Sequence, residues 1–132
     1  MIPADDAPPS AGEGKPVVLV VDDDDDVARV FTRALERHGM VVHCARSGTE
    51  AVAMIHGGQP FAAAVVDLIL PGTGGLDVVK ALRAHHPGCC IVAVTGLGGA
   101  VVEQAFRSAG ADRFLTKPVD LTVLLEAVGA AG

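Results

Sequence analysis

The segment VVLVVDDDDD, residues 17–26, joins a five-residue apolar run directly to five consecutive aspartates. A short run of valine and leucine without a polar position predicts a strand that is buried on both faces, as in the middle of a parallel sheet. Sites in open parallel sheets lie just outside the carboxyl ends of the strands. The aspartates after this run are therefore candidates for a binding or catalytic site.

The same kind of run recurs along the chain. Short apolar runs follow at 41–45, 62–66, 91–94 and 113–116, and longer amphipathic stretches lie at roughly 26–38, 48–56, 75–85, 99–109 and 120–130. In the amphipathic stretches apolar residues recur every three or four positions, which is the helical period. Five strands alternating with five helices predict an α/β fold. Right-handed (βα)5 connections then give a doubly wound parallel sheet with helices on both faces.

Composition limits both the size and the class of the protein. The chain has 132 residues, of which 50% are apolar and 20% are charged, and this suits one folded domain. We predict a flexible tail at 1–15, where proline, glycine, alanine and acids mix, and a single domain at 16–131. The formal charge of -6 and the lack of a basic run argue against direct binding to nucleic acid.

Two further features concern location. No apolar run reaches the roughly 18 residues that a membrane helix requires, so no contact with a membrane is expected. The three cysteines are an odd number without metal-ligand spacing, which suits the reducing cytoplasm.

Polar residues end the other predicted strands as well. The third run is followed by Asp67, the fourth by Thr95-Gly96 and the fifth by Lys117-Pro118. Because the carboxyl ends of parallel strands meet at one edge, we expect acids, a hydroxyl and a single lysine to converge there. This convergence is more specific than any one of its members.

Four motifs carry a resemblance to a known family. They are VLVVDDD at 18–24, VVDLILPGTGGL at 65–76, IVAVTG at 91–96 and GADRFLTKPVD at 110–120. In this order and spacing they resemble the receiver domain of two-component response regulators, and the resemblance covers about 17 to 130. It implies the chemotaxis-type receiver fold, which is a flavodoxin-like three-layer sandwich with strand order 2-1-3-4-5.

The resemblance also implies a site. Asp67 matches the phosphoacceptor, while Asp22 and Asp23 match the acidic pair that binds a divalent cation together with Asp67. The backbone carbonyl of Ile69 is expected to be a further ligand. Coordination by oxygen alone suits Mg²⁺ or Mn²⁺.

Five further positions match family residues that contact the phosphoryl group, change conformation with it, or form a cis peptide bond. Lys117, Thr95 and Gly96 are expected to contact it, and Lys117 and Thr95 to take part in catalysis with Asp67. Thr95 and Phe114 match the pair that switches conformation; the family often has tyrosine where this chain has Phe114. Pro118 matches the proline of a cis peptide bond.

The implied function is that of a signalling receiver. A sensor histidine kinase or a histidine phosphotransfer domain would donate the phosphoryl group, docking on the first helix and on the loop near Val119. Phosphorylation would alter the face formed by the fourth helix, fifth strand and fifth helix, leading to a homodimer or to contact with a downstream effector. Such a domain catalyses only its own phosphorylation and dephosphorylation and is not a turnover enzyme.

Two other functions remain open at this point. In a phosphatase of the haloacid-dehalogenase type, Asp22 would be the nucleophile and Asp24 the acid or base. That reading leaves Asp67 and the motif after it without a role. A receiver-like module that binds partners without phosphorylation is the other possibility, and the complete set of acids, threonine and lysine argues against it.

The remaining residues of interest have structural interpretations. One of Asp24, Asp25 and Asp26 is expected to cap the first helix. The five histidines show no shared spacing and are interpreted as surface residues. The loop after Asp67 is rich in glycine, which favours a loose loop.

Overall fold

The structure, a computed structural model, describes residues 14–96 and 99–129. Most of the predicted tail at 1–15 and residues 130–131 of the predicted domain lie outside this part of the chain. Five strands alternate with five helices over the described residues. The strands are β1 (Val17–Val21), β2 (Val41–Ala45), β3 (Ala63–Asp67), β4 (Cys90–Thr95) and β5 (Arg113–Thr116). The helices are α1 (Asp25–Arg37), α2 (Gly48–His56), α3 (Gly75–His85), α4 (Ala100–Ala109) and α5 (Leu121–Gly129).

All five strands run parallel in the order β2-β1-β3-β4-β5, which confirms the expected α/β fold and strand order. The last residues of neighbouring strands are in register: Val21 lies opposite both Ala45 and Val66, and Thr95 lies opposite Thr116. We call this side of the sheet the carboxyl edge and the opposite side the amino edge. Asp67 and Thr95 are themselves the last residues of β3 and β4, so both strands extend one residue beyond the predicted runs.

The sheet separates two apolar clusters, because successive side chains of a strand point to opposite faces. One face carries Leu19, Val66 and Ile91 against α2, α3 and α4, and the other carries Val18, Val65 and Val92 against α1 and α5. All of these strand side chains are almost completely buried. The apolar runs therefore have the two-sided burial that their composition predicts.

Two helices begin at the carboxyl edge with side-chain caps. The Asp24 carboxylate accepts hydrogen bonds from the backbone N–H groups of Asp26 and Val27, so Asp24 is the residue that caps α1. Ser47 caps α2 by accepting from the N–H of Glu50, whose carboxylate in turn accepts from the N–H of Arg46. Such reciprocal bonds satisfy the donors that a helix start leaves open and so fix where the helix begins.

None of the described helices is long and apolar enough to cross a membrane.

Candidate functional site

Three aspartates form a pocket at the carboxyl edge. Asp22 follows β1 and Asp67 ends β3, and these strands are neighbours in the sheet. One carboxylate oxygen from each of Asp22, Asp23 and Asp67 lies within 4.8 Å of the other two. Asp22 and Asp67 are buried, whereas Asp23 is exposed. We call this group the acidic pocket; within residues 14–96 and 99–129 it is the only such cluster of three or more potential metal ligands.

Lys117 lies between the two buried carboxylates. It follows β5, and its backbone N–H donates to the carbonyl of Thr95 at 2.7 Å. Its Nζ lies 3.0 Å from Asp22 Oδ2 and 3.3 Å from Asp67 Oδ2. The Lys117–Pro118 peptide bond is cis. One ammonium thus contacts two of the three carboxylates, and the pocket keeps an excess of negative charge.

This excess appears in the pKa values of Asp67 and Lys117. Burial, followed by the charge of Asp22, raises the pKa of Asp67, and the nearby Lys117 opposes this only in part. Burial tends to lower the pKa of Lys117, but the hydrogen bond and charge of Asp22, together with Asp67, raise it overall. The lysine is therefore held in its charged form, and an additional cation in the pocket would stabilise ionised Asp67.

Backbone donors orient the buried carboxylates. Asp22 Oδ1 accepts from the N–H of Asp24 at 2.9 Å, which leaves Oδ2 to Lys117. Asp67 Oδ1 accepts a longer bond, 3.4 Å, from the N–H of Ile69. The Ile69 side chain is 60% exposed, so the start of the loop lies at the surface. The expected role of the Ile69 carbonyl as a ligand stays a prediction.

The glycine-rich loop between β3 and α3 packs closely on its neighbours. A Cβ added at Gly75 would lie 2.3 Å from the carbonyl oxygen of Asp67, and one added at Gly48 would lie 1.5 Å from that of Thr73. The N–H of Gly48 donates to Pro71 at 3.3 Å, and the Thr49 hydroxyl accepts from the N–H of Thr73 at 3.4 Å. The loop is thus held against the start of α2, whereas its composition suggests a loose loop.

The sequence analysis did not identify this contact. Ser47-Gly48-Thr49 forms the capped start of α2, and a cap pattern indicates where a helix begins but not which loop packs against it. A glycine at the first position of a helix is a weak helix former, and that was the available signal for a close backbone contact.

The other predicted site residues lie beside the acidic pocket. Thr95 ends β4, next to β3, and is completely buried; Gly96 follows it and is exposed. Phe114 on β5 is half-buried, with its ring centroid 6.2 Å from that of Phe106 on α4. Phe114 therefore connects β5 to α4.

An apolar groove opens next to Lys117. It has a volume of about 650 Å³ and is lined by residues of α1 and of the segment after β5, among them Val27, Val30, Phe31, Pro118 and Val119. Val30 is 48% exposed, which is high for a large apolar side chain. The groove includes α1 and Val119, where the family resemblance implies docking; docking itself stays a prediction.

The arrangement suits two chemical tasks. Carboxylate oxygens at this spacing are the ligands that hard divalent cations prefer. A carboxylate beside an ammonium can act as a nucleophile toward an anionic group, because the cationic groups reduce the charge repulsion.

The sequence of this chain is similar to those of known proteins. The family model described as response regulator receiver domain matches residues 18–129. The photosynthetic apparatus regulatory protein RegA of Cereibacter sphaeroides is 39% identical over 115 residues, which cover 87% of this chain and 62% of RegA. This chain therefore spans less than two thirds of that relative.

Solved structures are similar over most of the chain. A response regulator of Burkholderia pseudomallei, solved with a phosphorylated aspartic acid, a calcium ion and citrate, has a TM-score of 0.81 at 31% identity, over 86% of this chain and 66% of that one. A CheY-like receiver domain protein of Methanospirillum hungatei has a TM-score of 0.84 at 29% identity, over 89% of this chain and 93% of that one.

Proposed function

Because this chain belongs to the response regulator receiver domain family, we propose that Asp67 accepts a phosphoryl group from a histidine kinase or a histidine phosphotransfer domain. The chain is a signalling domain, and the reaction that it catalyses is its own modification. An Asp67 carboxylate oxygen attacks phosphorus, the P–N bond of the donor phosphohistidine breaks, and an acyl phosphate forms while the imidazole leaves.

The observation that carries this proposal is the position of Lys117 between Asp22 and Asp67. Its Nζ lies 3.0 and 3.3 Å from their Oδ2 atoms, inside a pocket with an excess of carboxylates. A fixed ammonium beside the attacking oxygen can bind a phosphoryl oxygen as soon as the anionic phosphoryl group reaches Asp67. Asp67 is held by packing at the end of β3 and by the N–H of Ile69, so little reorganisation is needed.

The acidic pocket fits a divalent cation, for which we propose Mg²⁺ or Mn²⁺. Asp22, Asp23 and Asp67 supply carboxylate oxygens within 4.8 Å of one another, and the expected carbonyl of Ile69 would add another oxygen. When bound, such a cation neutralises charge on the phosphoryl oxygens. The chain's own contribution is to hold Asp22 through the N–H of Asp24.

Phosphorylation adds about 1.5 to 2 negative charges at a buried position, and the neighbouring residues respond to it. We propose that Lys117, the Thr95 hydroxyl and the exposed backbone at Gly96 contact the phosphoryl oxygens. Thr95 ends β4 opposite Thr116 of β5, and Phe114 of β5 contacts Phe106 of α4. A shift of Thr95 can therefore pass through β5 to the face of α4, β5 and α5, where Val101 is 84% exposed.

Two surfaces of the chain suit binding partners. The groove between α1 and the segment after β5 is apolar and opens beside Lys117, so a donor helix seated there would face the pocket. We propose this groove for the kinase or phosphotransfer domain, and the altered face of α4, β5 and α5 for a second copy or a downstream effector. A cytoplasmic location suits this function and the three free cysteines.

The domain limits remain part of the proposal. A domain at 16–131 that follows a tail at 1–15 stays a prediction, because residues 1–13 and 130–131 lie outside the described part of the chain.

The phosphatase alternative has less support. It requires Asp24 as an acid or base, yet the Asp24 carboxylate accepts from the N–H groups of Asp26 and Val27 at the start of α1. It also leaves Asp67 without a role, although Asp67 is buried beside Lys117.

Labelling with acetyl phosphate tests the proposal. We expect the native chain to gain one phosphoryl group only when Mg²⁺ is present and Asp67→Ala to gain none, with intact-mass spectrometry as the measurement. Asp77→Ala is the matched control, because Asp77 is an exposed carboxylate on α3, and it should be labelled like the native chain.

Two outcomes contradict the proposal. Labelling that persists in Asp67→Ala but disappears in Asp22→Ala would favour the phosphatase chemistry. Labelling of the native chain that does not respond to removal of Mg²⁺ would exclude the acidic pocket as the cation site. A sizing column before and after labelling then tests for dimers.

A further inference from the structure

Two histidines that are 29 positions apart in the sequence meet at the amino edge. His56 ends α2 and His85 ends α3, and their ring centroids lie 4.3 Å apart with 51° between the ring planes. Both side chains are exposed. We propose that His56 and His85 form a binding site for a borderline divalent transition metal such as Zn²⁺, which would join the ends of α2 and α3.

The separation of the rings suits one shared ion. Zn–N bonds are about 2.0–2.1 Å long. Two imidazoles that bind one tetrahedral ion therefore have ring centroids roughly 5.2 Å apart by the same bond lengths. The observed 4.3 Å is shorter by about 1 Å. The exposed rings must therefore rotate apart about their side-chain bonds to aim one nitrogen of each at a common point.

Neighbouring contacts hold the two helix ends together without the metal. The Nε2 atom of His86 lies 3.1 Å from the carbonyl oxygen of Ile55, the residue before His56. The ring of His86 also makes an edge contact with Phe61 at 5.6 Å between centroids. A site whose backbone is already fixed loses less conformational entropy when it binds a ligand.

The electrostatic setting favours a cation at this point. Both histidines lie in the last turn of a helix, where carbonyl groups give the helix end a partial negative charge. Two such ends converge here. The guanidinium of Arg83, also in the last turn of α3, is directed away, because it donates to Gly110 and to Asp112 near the start of β5.

Ligand type separates this site from the acidic pocket. Imidazole nitrogen suits Zn²⁺, Ni²⁺ and Cu²⁺, whereas Mg²⁺ prefers oxygen ligands. The two sites lie at opposite edges of the sheet, so their occupancy is independent. Within the described residues no third histidine, cysteine or carboxylate completes the histidine pair. Water fills the remaining positions, and the site is an open one of moderate affinity.

The test is a Zn²⁺ titration followed by calorimetry, with excess Mg²⁺ present to fill the acidic pocket. We expect one Zn²⁺ per native chain, and at least about tenfold weaker binding in His56→Gln and in His85→Gln, since each variant removes one of two ligands. His38→Gln is the matched control: His38 is an exposed histidine at the end of α1, and the affinity should not change.

A second measurement needs no variant. Sub-stoichiometric Cu²⁺ should broaden the ring resonances of His56 and His85 in an NMR spectrum before those of the other three histidines. The proposal is overturned if both substitutions leave Zn²⁺ affinity unchanged, or if broadening begins at other histidines. These outcomes do not bear on phosphorylation of Asp67, which the acetyl phosphate experiment measures separately.

Discussion

Each edge of the sheet contains a partly buried cation, and the two cations differ in what surrounds them. At the carboxyl edge, Lys117 is shared between Asp22 and Asp67, with a third carboxylate beside them. At the amino edge, the Arg83 guanidinium makes five hydrogen bonds: two to the carbonyl of Gly110, one each to the carbonyls of Pro87 and Cys89, and one to Asp112.

The difference lies in the balance of charge. Arg83 faces neutral carbonyls and one carboxylate, and the same Asp112 oxygen accepts from the N–H of Ile91. The charge and the hydrogen-bond donors of Arg83 are thus satisfied, and its contacts connect the ends of α3 and α4 to the sheet. The acidic pocket has more negative charge than its single lysine balances, so it gains from binding another cation. An imbalance of this kind identifies a site that binds, whereas a balanced network identifies a structural one.

The largest expected effect is the loss of Lys117. Lys117→Met keeps the alkyl stem but removes the ammonium that we propose for binding the phosphoryl oxygens, so labelling by acetyl phosphate should slow by about 100-fold. The time course of intact mass measures this. Lys80→Met, on the exposed side of α3, is the control and should react at the native rate. A rate for Lys117→Met within a factor of two or so of the native one would remove the lysine from the mechanism.

The next largest effect is the loss of stability when the Arg83 guanidinium is removed. Arg83→Met removes bonds to three carbonyls and one carboxylate, and we expect the free energy of unfolding to fall by about 2–3 kcal/mol. Urea denaturation measures this, while labelling of the molecules that stay folded should remain normal. Arg107→Met breaks an exposed pair with Glu103 on α4 and a long, exposed hydrogen bond of 3.5 Å to the Asp112 carbonyl, and it should cost less than about 0.5 kcal/mol. If both variants lose the same free energy of unfolding, the hydrogen bonds of Arg83 stabilise the fold no more than an exposed ion pair does.

A smaller effect is expected where the loop between β3 and α3 meets α2. Gly48→Ala places a methyl group 1.5 Å from the Thr73 carbonyl oxygen, so the loop must move and the free energy of unfolding should fall by about 1–2 kcal/mol. Labelling should slow as well, because the loop follows Asp67. Gly57→Ala, at the other end of α2, meets its nearest atoms at 3.4 Å and serves as the control. If both variants label at the native rate, the contact with α2 does not position the loop.

The smallest expected effect is on stability, and it tests the excess of negative charge in the acidic pocket. Burial and the charge of Asp22 raise the pKa of Asp67 in the folded protein. A raised pKa means that the folded state holds this proton more tightly than the unfolded state does. The stabilising contribution is therefore complete below about pH 4 and is lost as the pH rises through the raised value.

At neutral pH without a divalent cation, ionised Asp67 weakens the fold. Asp67→Asn should then have a higher free energy of unfolding in urea than the native chain. The increase should be smaller than the decrease expected for Gly48→Ala. Below about pH 4 the difference should vanish, and Mg²⁺ should stabilise the native chain more than the variant. A less stable Asp67→Asn in the presence of a chelator would contradict the charge argument, and Asp77→Asn is the control for loss of a surface carboxylate.

The features that could be predicted from the sequence depend on strand ends. The apolar runs predict the strands, and parallel strands bring their carboxyl ends together. Asp22, Asp67 and Lys117 could therefore be assigned to one pocket although they are far apart in the chain. The strand order came from the resemblance to a family, since hydrophobic periodicity shows that a strand is buried but not which strand lies beside it.

The amino edge could not be predicted in this way. Arg83 lies 27 positions before Gly110, and His56 lies 29 positions before His85. The helical period shows which face of α3 is buried, but not which polar group of another helix meets its last turn. These contacts depend on how the helices pack across the sheet, and a single sequence carries no periodic signal for that.

Asp23 has a different exposure from the other two members of the acidic pocket, and this affects how an ion reaches the site. Asp22 and Asp67 are buried, whereas Asp23 lies at the surface. A hydrated ion can meet Asp23 first and then move inward, without any segment of the chain opening. Exchange of such an ion with the surrounding water would therefore require no opening of the chain, and the filled fraction would follow the ambient ion concentration by mass action.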